Sequence, residues 1–493
     1  EWYYFRFQNF DTYFVAGSKD VALKASSIAN KNLSEIETFL EHQLKKRIVF
    51  VIYKNQSDFR QSNIGLNTGD EQYNIGGVVK VVDNIAFIFV EGDLKSLEIQ
   101  VKSAIANVFL NELLYGDNIT SKIANNTLIS PPEWYFQGLL RFVSQKWDSE
   151  IDNLVRNAIA DNKFDNLNHL NGDDAAIAGH AIWNYIATVY GKQVIPNIVY
   201  LSRVTKSTES AFLYVLGFTL ENLQDAMVDF YKAQYTSFAY TAETPSGRSI
   251  LPKTRKHLKY YQVQHSANGE KIAWVENHLG KYKIKYFDLK TNKKKKILRR
   301  EHVLDQIPDY SYPILRWHPS GKMLGFIIEK KGSTYYTTYN LETKEFKEIE
   351  VHLEKITSFD YSHDGLYLVL AAFHHGQSDI FVFNIIANTI ENITQDIADD
   401  YQPMFVNKSQ QIVFSSNRKE AELGNKKSNK VEVQENKDIF LYDVKTKTIE
   451  QITNTETVNE EFPDLKNKNF TFISDENGIK NLYAANIDSA INF

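Results

Sequence analysis

The residues that come closest to a catalytic pattern lie in an apolar segment, residues 94–114. Ser103 and Asn107 are four residues apart there, and helical spacing puts both side chains on one face. Two histidines at this spacing bind zinc, and a glutamate beside the first activates the bound water. Ser103 and Asn107 offer only a hydroxyl and an amide, which are weak zinc ligands, and Ala104 can neither take nor give a proton. The spacing of a zinc site is therefore present without its chemistry.

A second segment, residues 133–142, reads Glu-Trp-Tyr-Phe-Gln-Gly-Leu-Leu-Arg-Phe. Together the two segments resemble the gluzincin-type zinc peptidases, which carry HExxH on one helix and a third ligand, Glu, in W-x-x-E-G-x-x-x-Y/F on a later one. On this resemblance the two histidine positions fall on Ser103 and Asn107, the general base on Ala104 and the third ligand on Gln137. The resemblance covers residues 5–235. It implies an α+β pseudo-peptidase domain with a vestigial site and with no catalytic, cofactor-binding or metal-binding residues.

Other residues of the first 240 offer no replacement zinc site. Their histidines are His42, His169 and His180, and no two of these stand at helical spacing. Glu112 shares the predicted helix of Asn107 and is expected to face solvent. Glu133 is expected to stabilise the first turn of its own helix. An apolar helix followed by an aromatic one also occurs without descent from a peptidase, and both interpretations predict no zinc hydrolysis.

Signatures of other enzyme classes are missing from the sequence. It contains no G-x-x-x-x-G-K-S/T phosphate loop, no strand followed by G-x-G-x-x-G and no G-x-S-x-G nucleophile elbow. His374 and His375 are expected to be a surface pair in a loop, because adjacent strand side chains point to opposite faces.

The composition is that of a folded protein of two or three domains. The chain has 493 residues, a formal net charge of −5, 28 Tyr, 31 Phe and no Cys. The absence of Cys excludes disulfides and thiol catalysis, and the weak charge gives no reason to expect a nucleic-acid partner. No apolar run approaches the roughly 18 residues of a membrane helix. The start at Glu1 rather than Met suggests that an upstream segment is missing, as after removal of an export signal.

The pattern of residues 1–240 mixes strands with amphipathic helices. Gly191 and Gly217 stand where helices are expected to end. Strands are predicted at residues 5–15, 47–53, 76–82 and 85–90. Helices are predicted at residues 21–44 with a break at 30–32, at 94–114, from 133 onward, and at 174–190, 194–203, 209–216 and 219–235.

Residues 241–256, rich in Thr, Ser, Pro and Gly, are a predicted linker, and a repeat begins at residue 257. Five copies of a strand–turn–strand–strand unit follow, and Gly365 comes 44 residues after Gly321, close to one four-stranded propeller blade. The repeat resembles the TolB-type propellers. This implies a TolB-like β-propeller of at least five blades over residues 257–493, with the ring completed beyond Phe493. The segments that carry this resemblance are Ser362-His363-Asp364-Gly365, Phe414–Arg418, Asp438–Asp443 and Gln451-Ile452-Thr453.

Three features of the propeller sequence carry their own predictions. The run Lys293–Lys296, with Arg299 and Arg300 behind it, lies between two strand-like segments and is expected to be a solvated loop, with an anionic contact as the alternative. Residues 419–437 are charged and lack a pattern, which indicates a mobile or partner-ordered loop. Trp274 and Trp317 are expected in the core, which disfavours a glycan-binding face of exposed Trp.

An inert peptidase cleft joined to a propeller predicts a non-catalytic protein-interaction subunit of the bacterial cell envelope. A periplasmic location at the outer membrane is expected, and fold analogy suggests an accessory or plug subunit of a type nine-like protein secretion channel. The partners are then other proteins, with no cofactor, no nucleic acid and no transmembrane segment of its own. The alternatives are a divergent hydrolase whose activity lies beyond residue 493 and a glycan- or peptide-binding propeller module.

Overall fold

The computed structural model describes residues 1–60, 62, 80–92, 94–116, 129–239, 254–303, 310–424, 432–466 and 469–486. These residues divide into two compact units. One comprises Glu1–Tyr53, Val79–Ile88 and Lys95–Arg248, and the other comprises Lys54–Val78, Phe89–Leu94 and Ser249–Phe493. Most of the predicted linker, residues 240–253, lies outside the described residues, so the predicted domain boundaries stay predictions.

The first part of the chain contains a five-stranded sheet with the spatial order β1-β2-β3-β5-β4. β2 runs parallel to β3, while the β1–β2 and β4–β5 pairs are antiparallel. Asp83 lies in the left-handed region (φ 55°) in the turn between β4 and β5, as its residue type predicts. The strands are β1 Trp2–Arg6, β2 Phe10–Val15, β3 Ile48–Tyr53, β4 Val81–Val82 and β5 Ile85–Phe89.

Helices make up most of the rest of this region. They are α1 Lys19–Phe39, α2 Gln56–Arg60, α3 Leu94–Tyr115, α4 Glu133–Ser144, α5 Ser149–Ala160, α6 Gly172–Val189, α7 Val194–Thr205, α8 Thr208–Leu216 and α9 Leu220–Ala239, with a 3₁₀ helix at Lys163–His169. Gly217 caps α8 in the left-handed conformation (φ 76°), as predicted. The predicted break in α1 at residues 30–32 is wrong. The amide of the buried Asn32 donates to the carbonyl oxygen of Ile28 (2.8 Å) within the helix, so this polar residue is satisfied without ending it.

In the described part of residues 254–486, five antiparallel sheets in chain order form the β-propeller. Blade 1 comprises β6 Lys259–His265, β7 Lys271–His278, β8 Lys281–Asp288 and β9 Lys293–Arg300. Blade 2 comprises β10 Ile314–Trp317, β11 Met323–Lys330, β12 Ser333–Asn340 and β13 Phe346–Val351. Blade 3 comprises β14 Lys355–Tyr361, β15 Tyr367–His374, β16 Gln377–Asn384 and β17 Thr389–Asn392. Blade 4 comprises β18 Asp400–Val406, β19 Gln411–Arg418, β20 Val433–Asp443 and β21 Ile449–Gln451, and blade 5 comprises β22 Glu460–Lys466, β23 Asn469–Ser474 and β24 Asn481–Asn486. The predicted order, a helix-rich region followed by a propeller with five blades, is confirmed.

The turn between the first two strands of a blade explains the repeated sequence signature. In blade 3 the hydroxyl of Ser362 accepts the backbone N–H of Tyr367 (2.9 Å) and donates to Asp364 (2.6 Å). Gly365 then takes a positive φ of 74°, which glycine adopts without strain. The equivalent turn of blade 4, Asn407–Ser409, has no glycine and places all three residues in the left-handed region.

Apolar side chains fill the interfaces between consecutive blades. One cluster joins each of the pairs 1–2, 2–3, 3–4 and 4–5, and the predicted core residues Trp274 and Trp317 are both buried. Side chains of the first strands reinforce these contacts. Gln402 of β18, in the left-handed region at a bulge, accepts the backbone N–H of Phe462 in blade 5 (3.0 Å). Bulges at these positions aim side chains from one blade to the next.

Two loop predictions for the propeller are wrong in part. Lys293–Lys296 are the first half of β9, which pairs with β8, and this strand tolerates lysines because it is the outer edge of its sheet. In the predicted loop 419–437, residues 433–437 belong to β20, and Val433 pairs with Arg418 of β19. Residues 425–431 lie outside the described residues.

Candidate functional site

The three predicted vestigial positions of the first helical segment lie together on α3. Ala104 is buried, with 6% of its surface exposed, while Ser103 and Asn107 are half-buried. The side-chain amide of Asn111 donates to the side-chain oxygen of Asn107 (2.6 Å) and to its carbonyl oxygen (2.8 Å). The side-chain oxygen is the Asn107 side-chain atom that could coordinate a cation, and it already accepts this hydrogen bond.

Gln137, the fourth predicted position, lies on α4 and is exposed to solvent. α4 begins after Pro132, as predicted, and buries Trp134 and Tyr135. No hydrogen bond joins Gln137 to Ser103 or Asn107 in the part of the chain that the structure describes. The structure thus places three of the four residues on α3 and the fourth on α4. That they once formed a zinc site stays a prediction.

A glycine pair holds α4 against α6. A methyl group on Gly138 would overlap the backbone of Gly179, and one on Gly179 would overlap the carbonyl oxygen of Trp134. The two helices therefore approach to backbone contact, which only glycine permits. The indole of Trp183 on α6 donates to the carbonyl oxygen of Tyr135 (3.1 Å) and fixes the same contact. Gly138, which follows Gln137 in the resemblance to gluzincins, thus has a packing role in this chain.

Glu112 does not face solvent, contrary to the prediction. Only 7% of its surface is exposed, and its carboxylate lies 3.0 Å from the imidazole Nε2 of His42 and accepts the backbone N–H of Lys45 (3.3 Å). Helical spacing could not reveal this pair, because His42 comes from a segment 70 residues earlier in the chain. Glu133 accepts the backbone N–H of Gly172 (2.9 Å), so it satisfies the start of α6 as well as lying in the first turn of α4.

His180 on α6 lies among aromatic rings and not at the surface. Only 1% of its surface is exposed, and its ring packs against Phe142 and Trp147 with centroid distances of 6.0 Å and 5.3 Å. Burial, together with the charge of Arg141, lowers the pKa of His180 to about 3. The imidazole is therefore neutral in the folded protein at physiological pH, and its Nδ1 has no hydrogen-bond partner among the residues that the structure describes.

The propeller histidines are neighbours and not an opposed pair. His374 ends β15, His375 takes a positive φ of 52° in the turn, and their ring centroids are 4.0 Å apart. The positive φ removes the strand alternation on which the prediction rested. Within the described ranges, no group of three or more His, Asp and Glu side chains is placed to hold a metal ion.

A buried ionic cluster in blade 4 is the main feature that sequence reasoning missed. Arg418 is fully buried and donates to both oxygens of Asp400 (2.9 Å each), to Asp396 (3.1 Å) and to the carbonyl oxygen of Glu422. Nearby, burial together with the charges of Asp400 and Asp396 raises the pKa of Asp379 to about 7, against the hydrogen bond from Asn392, which lowers it. The sequence signal is the carboxylate pair Asp396 and Asp400 upstream of Arg418, because a charged side chain that strand pairing buries needs a partner of opposite charge.

Comparison with known proteins finds propellers among solved structures. No protein-family model and no curated protein matches this chain. The structures that are similar include TolB from Acinetobacter baumannii, with 13% identity, a TM-score of 0.33 and coverage of 46% of this chain and 55% of that one. A putative TolB from Agrobacterium tumefaciens has 14% identity and a TM-score of 0.33 over 46% of this chain and 80% of that one. The β-propeller domain of the Trilobed protease from Pyrococcus furiosus has 14% identity and a TM-score of 0.32 over 47% of this chain and 82% of that one.

This chain therefore spans about half of the length of the Acinetobacter protein. No described helix combines the length and the apolar character needed to cross a membrane.

Proposed function

We propose that this chain is a non-catalytic protein-interaction subunit of the bacterial cell envelope, in which a gluzincin-like domain has lost its zinc chemistry and a TolB-like propeller presents loops to partners. The proposed location is the periplasm at the outer membrane, and the proposed partner is a large outer-membrane protein such as a secretion channel. The observation that carries the proposal is the chemistry of the α3 positions.

That chemistry fails at each step that zinc hydrolysis requires. A methyl group at Ala104 cannot activate water, and the side-chain oxygen of Asn107 is a weak zinc ligand that also accepts a hydrogen bond from Asn111. A Ser–Asn–Gln set also lacks the anionic ligand that would offset a doubly charged cation. The carboxylate of Glu112, also on α3, already contacts the imidazole of His42 and accepts the backbone N–H of Lys45. The helical frame of a peptidase without these groups favours binding over cleavage.

Restoring the proposed zinc ligands tests whether the four positions form one site. If α3 and α4 keep the gluzincin frame, a variant carrying Ser103→His, Ala104→Glu, Asn107→His and Gln137→Glu should bind one zinc ion in a competition titration with a chelator, while the parent should not. The matched control omits Gln137→Glu and should bind zinc much more weakly, because it lacks the third protein ligand. Equal zinc affinity of the parent, the control and the restored variant would show that these positions never formed one site.

A further inference from the structure

Glu460 of blade 5 occupies the position that Asp400 has in blade 4. Each is the first residue of the first strand of its blade, β22 or β18. Each also pairs with a serine near the end of the second strand, Ser474 or Ser416. β18 packs against blade 3 and β22 packs against blade 4. The two carboxylates therefore lie at matching places in successive joints between blades.

The cation that neutralises this carboxylate in blade 4 is replaced by an acid in blade 5. Two residues after Ser416, Arg418 donates to both oxygens of Asp400 (2.9 Å each). Two residues after Ser474, the chain carries Glu476. The backbone N–H groups of Arg418 and Glu476 both donate to the hydroxyl of their serine (3.2 Å each), so the two positions match in backbone geometry. Blade 5 thus keeps the buried acid without the guanidinium.

Glu460 is buried next to other carboxylates. Only 6% of its surface is exposed, and its Oε2 has no hydrogen-bond partner among the described residues. Burial, together with the charges of three neighbouring carboxylates, raises the pKa of Glu460 to about 7, against a hydrogen bond from Thr453, which lowers it. These carboxylates are those of Asp438, Asp475 and Glu476. A carboxylate in such surroundings holds its proton more tightly than one in the unfolded chain.

The cations on the elements around Glu460 are engaged elsewhere. Arg418 of β19 is bound by the carboxylates of blade 4. Lys437 of β20 (2.7 Å) and Lys480 (3.2 Å) both contact Glu461. Adjacent strand residues point to opposite faces, so these two ion pairs lie on the face of β22 that is turned away from Glu460. No ion pair joins Glu460 to a cation in the parts of blades 4 and 5 that the structure describes.

We infer that the joint between blades 4 and 5 is a proton-controlled latch, which is closed while Glu460 is protonated and loosens when this side chain ionises. The ionised form adds a buried anion beside Asp438, whereas the protonated form adds none. A glutamate of the unfolded chain ionises near pKa 4.3 (an approximate value), and Glu460 keeps its proton up to about pH 7. Between these values the closed joint binds more protons than the open one. Closure is therefore strongest below about pH 4.3, weakens as the pH rises to about 7 and then stays constant.

Hydrogen exchange of the intact protein tests the latch. Protection of peptides from β22 and β23 is measured between about pH 5 and about pH 8 and corrected for the intrinsic exchange rate at each pH. In the parent this protection should fall by roughly ten- to hundred-fold over the range, while that of β7 and β8 in blade 1 should not. Glu460→Gln cannot titrate and should show no such fall. Glu456→Gln, at an exposed position shortly before β22, is the matched control and should behave like the parent.

A second variant supplies the missing cation. Glu476→Arg places a guanidinium at the exposed position that corresponds to Arg418 of blade 4. It should stabilise the ionised form of Glu460, so that protection at the upper end of the pH range exceeds that of the parent. Protection of the parent that stays constant with pH, a fall that persists in Glu460→Gln, or an equal fall in blade 1 would each overturn the inference. The inference does not depend on the proposed loss of the zinc site or on the proposed partner.

Discussion

Protonation of His180 should destabilise the helical unit as the pH falls. The unfolded chain takes up this proton below about pH 6.5, whereas burial lowers the pKa of His180 to about 3 in the folded protein. Between these two values the unfolded state binds more protons, so the free energy of unfolding decreases with decreasing pH. At about pH 5, roughly 1.5 pH units below the pKa of the unfolded chain, the lost stability is about 2 kcal/mol, and it reaches about 4 kcal/mol near pH 3, where half of the folded imidazole is itself protonated.

The test compares the parent with His180→Gln, which cannot titrate. Urea unfolding is followed by pulse-labelling hydrogen exchange of peptides from α6, so that unfolding of the helical unit is read separately from the propeller. The stability difference between the parent and His180→Gln should shift by about 2 kcal/mol in favour of the variant between about pH 7.5 and about pH 5. His169→Gln is the matched control, because this histidine is exposed on the same unit, and it should retain the pH dependence of the parent. A difference that stays constant over this pH range would refute the placement of His180 as a buried neutral imidazole.

Three further substitutions test the packing of the two units. Gly179→Ala should destabilise the helical unit by about 1–3 kcal/mol in urea unfolding, because the added methyl group meets the backbone of α4. This loss is expected although alanine has the better helix propensity. An increase in stability would contradict the close helix contact. Arg418→Met should lower the free energy of unfolding of the propeller by about 3–5 kcal/mol, because it leaves Asp400 buried without its partner. Adding Asp400→Asn should recover part of this loss. Additive losses would argue against a direct pair. Glu112→Gln should lower the free energy of unfolding by about 1–3 kcal/mol because it removes a charged acceptor from His42, while Glu150→Gln, at an exposed position, should stay within about 0.5 kcal/mol of the parent.

Local signals in the sequence predicted most of the fold. The four-residue turns that contain Gly269, Gly321 and Gly365 predicted successive blades because their glycines adopt positive φ values, as the structure confirms. The apolar period of α3 and the Pro-led start of α4 are likewise local features. Element boundaries failed where a side chain finds an unexpected partner, as Asn32 does within α1.

The site was harder to predict because its contacts join distant segments. The position of Glu112 depends on His42, and that of Arg418 on Asp396 and Asp400, which no local period relates. Exposure also depends on tertiary packing, so the sequence could not place Gln137 at the surface. The lysine run of β9 lies between two strand-like segments in the sequence, a position that predicts a loop, although an edge strand accommodates the same residues.

The most direct test of the proposed function is purification of the tagged chain from native membranes in mild detergent, with quantitative mass spectrometry of the proteins that elute with it. A non-catalytic envelope subunit should elute with an outer-membrane protein or secretion component in a fixed stoichiometric ratio, and the restored zinc variant should retain that partner. Elution of the chain alone, at every detergent and salt condition that preserves its fold, would contradict the proposal.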